Sequence, residues 1–216
     1  MNIHTIILAG GKGTRMLSQK AKVLQALGGK TMLNHVMTAA NKISNKISVV
    51  VGFDKEGVEE EIKKIGIDAN TFLQKEQIGT ADAVKTTLKD IDKNEKILIL
   101  YGDVPLIKEE TLKKLCNQES DLSILTTNLE NPTGYGRTLK DKENNVLGII
   151  EEKDADSEQK KIKEIFTGIL VAKGSVLKKY IPEINNNNSA KEFYLTDLIS
   201  IAHKNGFKIN TLSSSN

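Results

Sequence analysis

"IHTIILAGGKGTRM", residues 3–16, decides the fold. Residues 3–8 form a short apolar run rich in β-branched side chains, which reads as a strand buried on both faces. The run ends in Gly10-Gly11, and Lys12, Gly13 and Arg15 follow. Glycines let backbone N–H groups approach an anion closely, and flanking cations complete a phosphate cradle. The P-loop pattern fails, because Lys12 precedes Gly13 instead of following the last glycine. The dinucleotide fingerprint fails too, because Met16 stands where its third glycine belongs and no acidic residue follows at the required spacing.

Working outward, strand and helix alternate through the first half. Helices are expected at 31–43, 55–66, 80–91 and 108–118, and strands at 46–52, 69–74 and 95–103. That alternation implies right-handed crossovers and a parallel sheet covered by helices on both faces. The second half reads as longer strands at 121–129, 136–153 and 164–172, with a hairpin turn at "KENN" (142–145) and a final helix at 194–207. The fold class is therefore α/β: a Rossmann-like, mixed but mainly parallel sheet. In open parallel sheets, ligands bind outside the carboxyl ends of the strands. Residues 9–15, 74–80 and 101–105 then share one rim.

Composition narrows the function. The 216 residues carry a net charge of +3 with the signs interspersed, no Trp, and only 4% aromatics. A nucleic-acid binder would show a basic stripe or aromatic platforms. The single cysteine, Cys116, excludes internal disulfides and multi-cysteine zinc sites. No stretch approaches the length of a membrane span, and the N-terminal run has no basic leader, so a cytoplasmic setting is expected. His4, His35 and His203 show no metal-ligand spacing and read as structural.

Two further segments carry chemistry. "LILYGDVPLI" (98–107) delivers Asp103 to the rim, where a carboxylate suits Mg²⁺. "LQKEQIGTADAV" (73–84) places Gln74 at a strand end, where an amide can read a base edge, and Thr80 at a helix start, where it can serve as a cap. Lys12, Arg15 and Lys22 are candidate phosphate cations.

Together with "NPTGYGR" (131–137), "EEKDA" (151–155), "TGI" (167–169) and "FYLTD" (193–197), these segments resemble the sugar nucleotidyltransferases. The resemblance runs along the whole chain in order, and it is most specific to the bacterial N-acetylglucosamine-1-phosphate uridyltransferases. It implies UTP and N-acetylglucosamine 1-phosphate as substrates, UDP-N-acetylglucosamine and pyrophosphate as products, Mg²⁺ as cofactor, and a place in cell-wall precursor synthesis. It implies that Leu8, Ala9, Gly10 and Gly11 hold the nucleotide, with Arg15 and Lys22 on its phosphates. Gln74 is then the uracil reader, with Gly79 and Thr80 completing the base pocket. Tyr101 and Gly102 line the site, and Asp103 is the metal ligand. Arg15, Lys22 and Asp103 form the catalytic set. Gly136, Glu151, Tyr194 and Thr196 hold the sugar. The nucleotide half is expected over about 1–110 and the sugar half over about 111–216.

Three departures accompany the resemblance. Ala21 stands where that family has proline before "KVL" (22–24), which is expected to loosen the loop that aims Lys22. Phe166 stands where it has an asparagine, removing an amide contact to substrate. The chain stops at Asn216, ahead of the "GVNN" segment that carries the family's second metal ligand, so an incomplete metal site is expected. The family's acetyltransferase β-helix, through which full-length members are trimeric, is expected to be absent, which leaves the oligomeric state open. The alternatives are another nucleotidyltransferase, such as a molybdopterin guanylyltransferase preferring GTP, and a truncated domain that binds UDP-sugar but turns over poorly. A nicotinamide-dependent oxidoreductase is more remote.

Overall fold

The chain is described by a computed structural model that covers residues 2–13 and 20–214. Strand β1 (Ile3–Leu8) lies inside the sheet, and every residue in it is buried. It is flanked in parallel by β4 (Lys46–Val51) and β6 (Lys96–Tyr101), with Leu8 opposite Val50 on one side and Tyr101 on the other. Between β1 and β4 come a small antiparallel ribbon, β2 (Ala26–Leu27) and β3 (Lys30–Thr31), and helix α1 (Met32–Asn41). The Thr31 hydroxyl caps α1 by accepting from the Asn34 N–H at 3.1 Å. Helix α2 (Lys55–Ile65) leads to β5 (Asn70–Leu73), which pairs in parallel with β4. Helix α3 (Thr80–Lys85) leads to β6.

The strand order β5-β4-β1-β6 reverses direction about β1. The carboxyl ends of β1 and β6 therefore border a topological switch point, where open α/β sheets place ligands. After helix α4 (Glu109–Cys116), β7 (Leu122–Asn128) and β10 (Glu164–Lys173) extend the sheet. β10 is antiparallel to both β6 and β7, so the second half adds the mixed character expected of it. The hairpin of β8 (Arg137–Lys140) and β9 (Val146–Ile150) branches from β10, and β11 (Ile209–Ser213) closes the edge in parallel with β7. Helices α5 (Gly174–Tyr180) and α6 (Asp197–Lys204) complete the described elements.

Alternation along the strands divides the core. Ile6, Ile97 and Ile99 face Val84, Leu177 and Leu198 of α3, α5 and α6. Ile7, Leu98 and Leu100 face Leu33, Val58 and Leu112 of α1, α2 and α4. Strands that carry apolar side chains on both faces follow from this two-sided cover.

Several boundaries differ from expectation. The helix expected over 80–91 ends at Lys85. The Thr86 and Thr87 hydroxyls each donate to the carbonyl three residues back, at 2.7 Å, and the chain tightens into successive turns. The final helix covers Asp197–Lys204 rather than 194–207. α5, β11 and the β2–β3 ribbon were not expected. No helix among the described residues is long and apolar enough to cross a membrane.

Candidate active site

Residues that follow β1, β5 and β6 meet around one cavity of about 520 Å³. Leu8, Ala9, Gly10 and Gly11 form its floor, continuing to Lys12 and Gly13. Backbone bonds knit the strand ends together: Gly102 N–H donates to Leu8 O at 2.9 Å, Phe53 N–H to Gly10 O at 3.0 Å, and Gln74 N–H to Val51 O at 2.8 Å. Gln74, Gly79, Thr80, Tyr101 and Asp103 line the walls. Gly102 lies beneath, against Val23 and Leu8.

Lys22 also lines the cavity, and its Nζ lies 2.6 Å from Asp103 Oδ2. Gly13 adopts φ +62°, and a Cβ there would come within 2.7 Å of Lys22 Cβ. The loop can thus fold directly onto the lysine stem only with glycine at this point. Lys12 extends over the Phe53 ring, 5.3 Å from its centroid. Arg15 lies outside the described residues.

The Ala21 departure has a structural answer. Ala21 is fully buried, and its N–H donates to Asp54 Oδ2 at 3.0 Å. Proline has no N–H and cannot make this bond. The segment that carries Lys22 is therefore tethered to the loop before α2, and the loosening expected from Ala21 does not follow.

Gln74 is 5% exposed. Its Nε2 donates to Gly79 O and to Asp82 Oδ2, both at 3.0 Å. Its Oε1 faces Gly10, where an added Cβ would lie 3.1 Å away. Thr80 does not act as a cap: Gly79 holds that position, and Thr80 is the first helical residue. The Thr80 hydroxyl instead accepts from Leu195 N–H at 2.9 Å and hydrogen-bonds the Tyr101 side chain. Burial pushes the Tyr101 phenol well above its ordinary range, opposed by the Thr80 bond and reinforced by Glu151 and Asp103.

The expected sugar residues gather beside Tyr101. Thr196 Oγ1 donates to Glu151 Oε1 at 2.9 Å, and Gly136 backs onto the same carboxylate. Burial raises the Glu151 carboxyl above its ordinary value; the Thr196 bond opposes this, while Asp197, Asp154 and Glu192 add to it. Tyr194 is pushed up to about 12 by burial and then by Asp154, Glu151, Glu192 and Asp197. Phe166 is 5% exposed, packed in the core on the α3–α5–α6 side, and its N–H donates to Gly136 O at 2.9 Å. That position contributes backbone order and no polar side chain.

Three neighbours were missed by sequence reasoning. Gln77 and Glu192 line the cavity, and Asp82 grips Gln74. Gln77 and Asp82 lie inside the motif at 73–84, where their type gave a signal that went unread. Glu192 ends a polar loop and gave none. His4, His35 and Cys116 are structural: His4 Nε2 hydrogen-bonds Ser48 Oγ at 2.8 Å, His35 Nε2 bonds Leu27 O at 2.8 Å, and Cys116 is buried. Among the described residues, no group of three or more His, Cys, Asp or Glu is arranged to hold a metal.

The chain is 44% identical to the bifunctional protein GlmU of Ruthia magnifica subsp. Calyptogena magnifica, over an alignment that covers all of this chain. The chain spans about half the length of that curated relative, 47%. Its fold matches a crystal structure of a Bacillus anthracis protein named as a glucose-1-phosphate thymidylyltransferase, in complex with sucrose. That match has a TM-score of 0.77 at 20% identity and covers 99% of this chain and 87% of the other. The MobA-like NTP transferase domain matches residues 5–158, from β1 through the cavity-lining strands and beyond the β8–β9 hairpin. With its glycine loop, lysine and aspartate meeting at the switch point of that sheet, the chain belongs to the MobA-like NTP transferase domain family.

Proposed function

We propose that this chain is a uridylyltransferase that converts UTP and N-acetylglucosamine 1-phosphate into UDP-N-acetylglucosamine and pyrophosphate, with Mg²⁺ as cofactor. The observation that carries the reading is the Lys22–Asp103 pair, 2.6 Å apart beside the Gly10–Gly13 loop. A carboxylate that already grips an ammonium cation at the wall of this cavity has the hard oxygen donors Mg²⁺ prefers. One or two carboxylates plus substrate phosphates suffice for this metal, so Asp103 fits as its protein ligand. Bound there, Mg²⁺ would neutralise phosphate charge and polarise the phosphoryl oxygens.

The rest of the chemistry belongs to the chain. The attacking sugar phosphate is already an anion and needs no general base, which accounts for a site built without His or Cys. Catalysis then consists of positioning and charge neutralisation. The backbone of Leu8–Gly11 supports the nucleotide, and Lys22 and Arg15 hold the departing pyrophosphate. Gln74 meets the base, with Gly79 and Thr80 beside it. Tyr101 and Gly102 belong to the site's lining, and Gly136, Glu151, Tyr194 and Thr196 hold the N-acetylglucosamine. The nucleotide half covers about 1–110, and the sugar half about 111–216.

The test is pyrophosphate release by the purified chain with UTP, N-acetylglucosamine 1-phosphate and Mg²⁺. Release that requires all three supports the reading. Release with GTP in place of UTP would instead favour a guanylyltransferase. Binding of UDP-N-acetylglucosamine without release would mark a sugar-nucleotide-binding domain.

A further inference from the structure

We propose that Asp82 sets the pyrimidine preference of this site by locking the Gln74 amide in one orientation. The inference rests on the reading of Gln74 as the group that meets the base.

A primary amide carries two N–H donors and one carbonyl acceptor. Both donors of Gln74 are committed: Nε2 donates to Gly79 O and to Asp82 Oδ2, each at 3.0 Å. Neither partner atom can donate, since one is a backbone carbonyl and the other a carboxylate oxygen. The nitrogen must therefore point towards them. A flipped amide would set its oxygen against two acceptors and leave both donors unpaired in a site where Gln74 is 5% exposed. Gly79 alone would satisfy one donor. Asp82 satisfies the second and makes the choice unambiguous.

What remains for a ligand is Oε1. It lies against Gly10 on the cavity floor, and both residues line the cavity. Gln77 Nε2 donates to the Gln74 backbone carbonyl at 3.2 Å, so the backbone of Gln74 is held as well. The cavity thus meets a fixed acceptor. A base whose N3 edge faces it must donate. Uracil carries N3–H and satisfies it, whereas cytosine presents a lone pair at N3 and meets acceptor with acceptor. Thymine also carries N3–H and passes, so the discrimination Asp82 imposes is against cytosine. Asp82 touches no substrate in this scheme; it is a positioning residue acting through Gln74.

The experiment compares kcat/KM for UTP and CTP in the wild type, Asp82→Asn and Asp82→Ala, together with dissociation constants for UDP and CDP. An asparagine at 82 can accept from or donate to Gln74, and alanine does neither, so both variants leave Gly79 O as the one fixed acceptor on the amide and remove the second hold that Asp82 adds. The UTP-over-CTP ratio is expected to fall about tenfold or more in both, the scale of losing a hydrogen-bond-based discrimination. The UDP-over-CDP binding ratio should fall in parallel. General loss of stability would lower both nucleotides together and leave the ratios unmoved. Wild-type preference for UTP with unchanged ratios in both variants would overturn the role of Asp82 alone. Wild type turning over CTP as well as UTP would overturn the uridine reading beneath it.

Discussion

Asp54 shows how one residue can replace another's work. It adopts a left-handed backbone conformation, φ 54°, at the start of α2, and its carboxylate reaches Ala21 N–H at 3.0 Å. Ala21 immediately precedes Lys22, so the tether fixes the base of the side chain that grips Asp103. In Asp54→Ala the buried N–H loses its partner, a cost of about 1–3 kcal/mol. Urea unfolding should register that loss, and the KM for the nucleotide should rise severalfold more than kcat falls. Unchanged stability and unchanged KM would show that Lys22 is aimed by other contacts. The sequence alone gave no access to this tether. The proline-to-alanine departure was visible, but its compensation comes from a residue 33 positions away and depends on how the chain packs. Asp103 and Gln74 were legible because an apolar strand ending in a polar residue points to a binding rim. Asp82, although inside that motif, was passed over, because a first-turn aspartate on a helix ordinarily reads as a favourable charge at the positive dipole end.

Between elements, the start of α3 and the segment before α6 are joined backbone to backbone. Phe193 N–H donates to Ile78 O at 2.8 Å, Ala81 N–H donates to Phe193 O at 2.9 Å, and Leu195 N–H reaches Thr80 Oγ1. Gly79 sits at the crossing with φ +138°, and a Cβ there would lie 2.3 Å from Phe193 O. Gly79→Ala therefore combines backbone strain with a main-chain clash and should cost about 3 kcal/mol or more, measured by chemical denaturation. A loss under about 0.5 kcal/mol, the range of ordinary surface changes, would contradict this joint. The strands and helices of the first half were legible from apolar runs, helical spacing and Gly66 closing α2. The C-terminal end of α3 and the presence of β11 were not. Thr86 and Thr87 shorten α3 through their own hydroxyls. β11 is half-buried and polar, and it becomes a strand only by pairing with β7.

For the whole molecule, the two-sided sheet separates the rim that carries the cavity from a partly buried ionic cluster at the opposite strand ends. There His4 is fully buried beside Glu95, Asp90 and Lys46. Burial and then Lys46 hold its imidazole below the ordinary value of 6.5, against the pull of Glu95 and Asp90. The folded state therefore favours neutral His4, and the unfolded chain takes up its proton first as pH falls. This contribution to stability is complete above about pH 6.5 and is lost on acidification below it. The urea midpoint should drop more between pH 7 and pH 5 in wild type than in His4→Gln. Equal drops would remove His4 from the account.

The central claim is that the rim joins a uridine nucleotide to a sugar phosphate. It is tested most directly by incubating the chain with equimolar UTP, CTP, GTP and dTTP, N-acetylglucosamine 1-phosphate and Mg²⁺, then identifying nucleotide sugars by mass spectrometry. The account predicts UDP-N-acetylglucosamine as the dominant product. A different nucleotide sugar as the main product, or none at all, would contradict it.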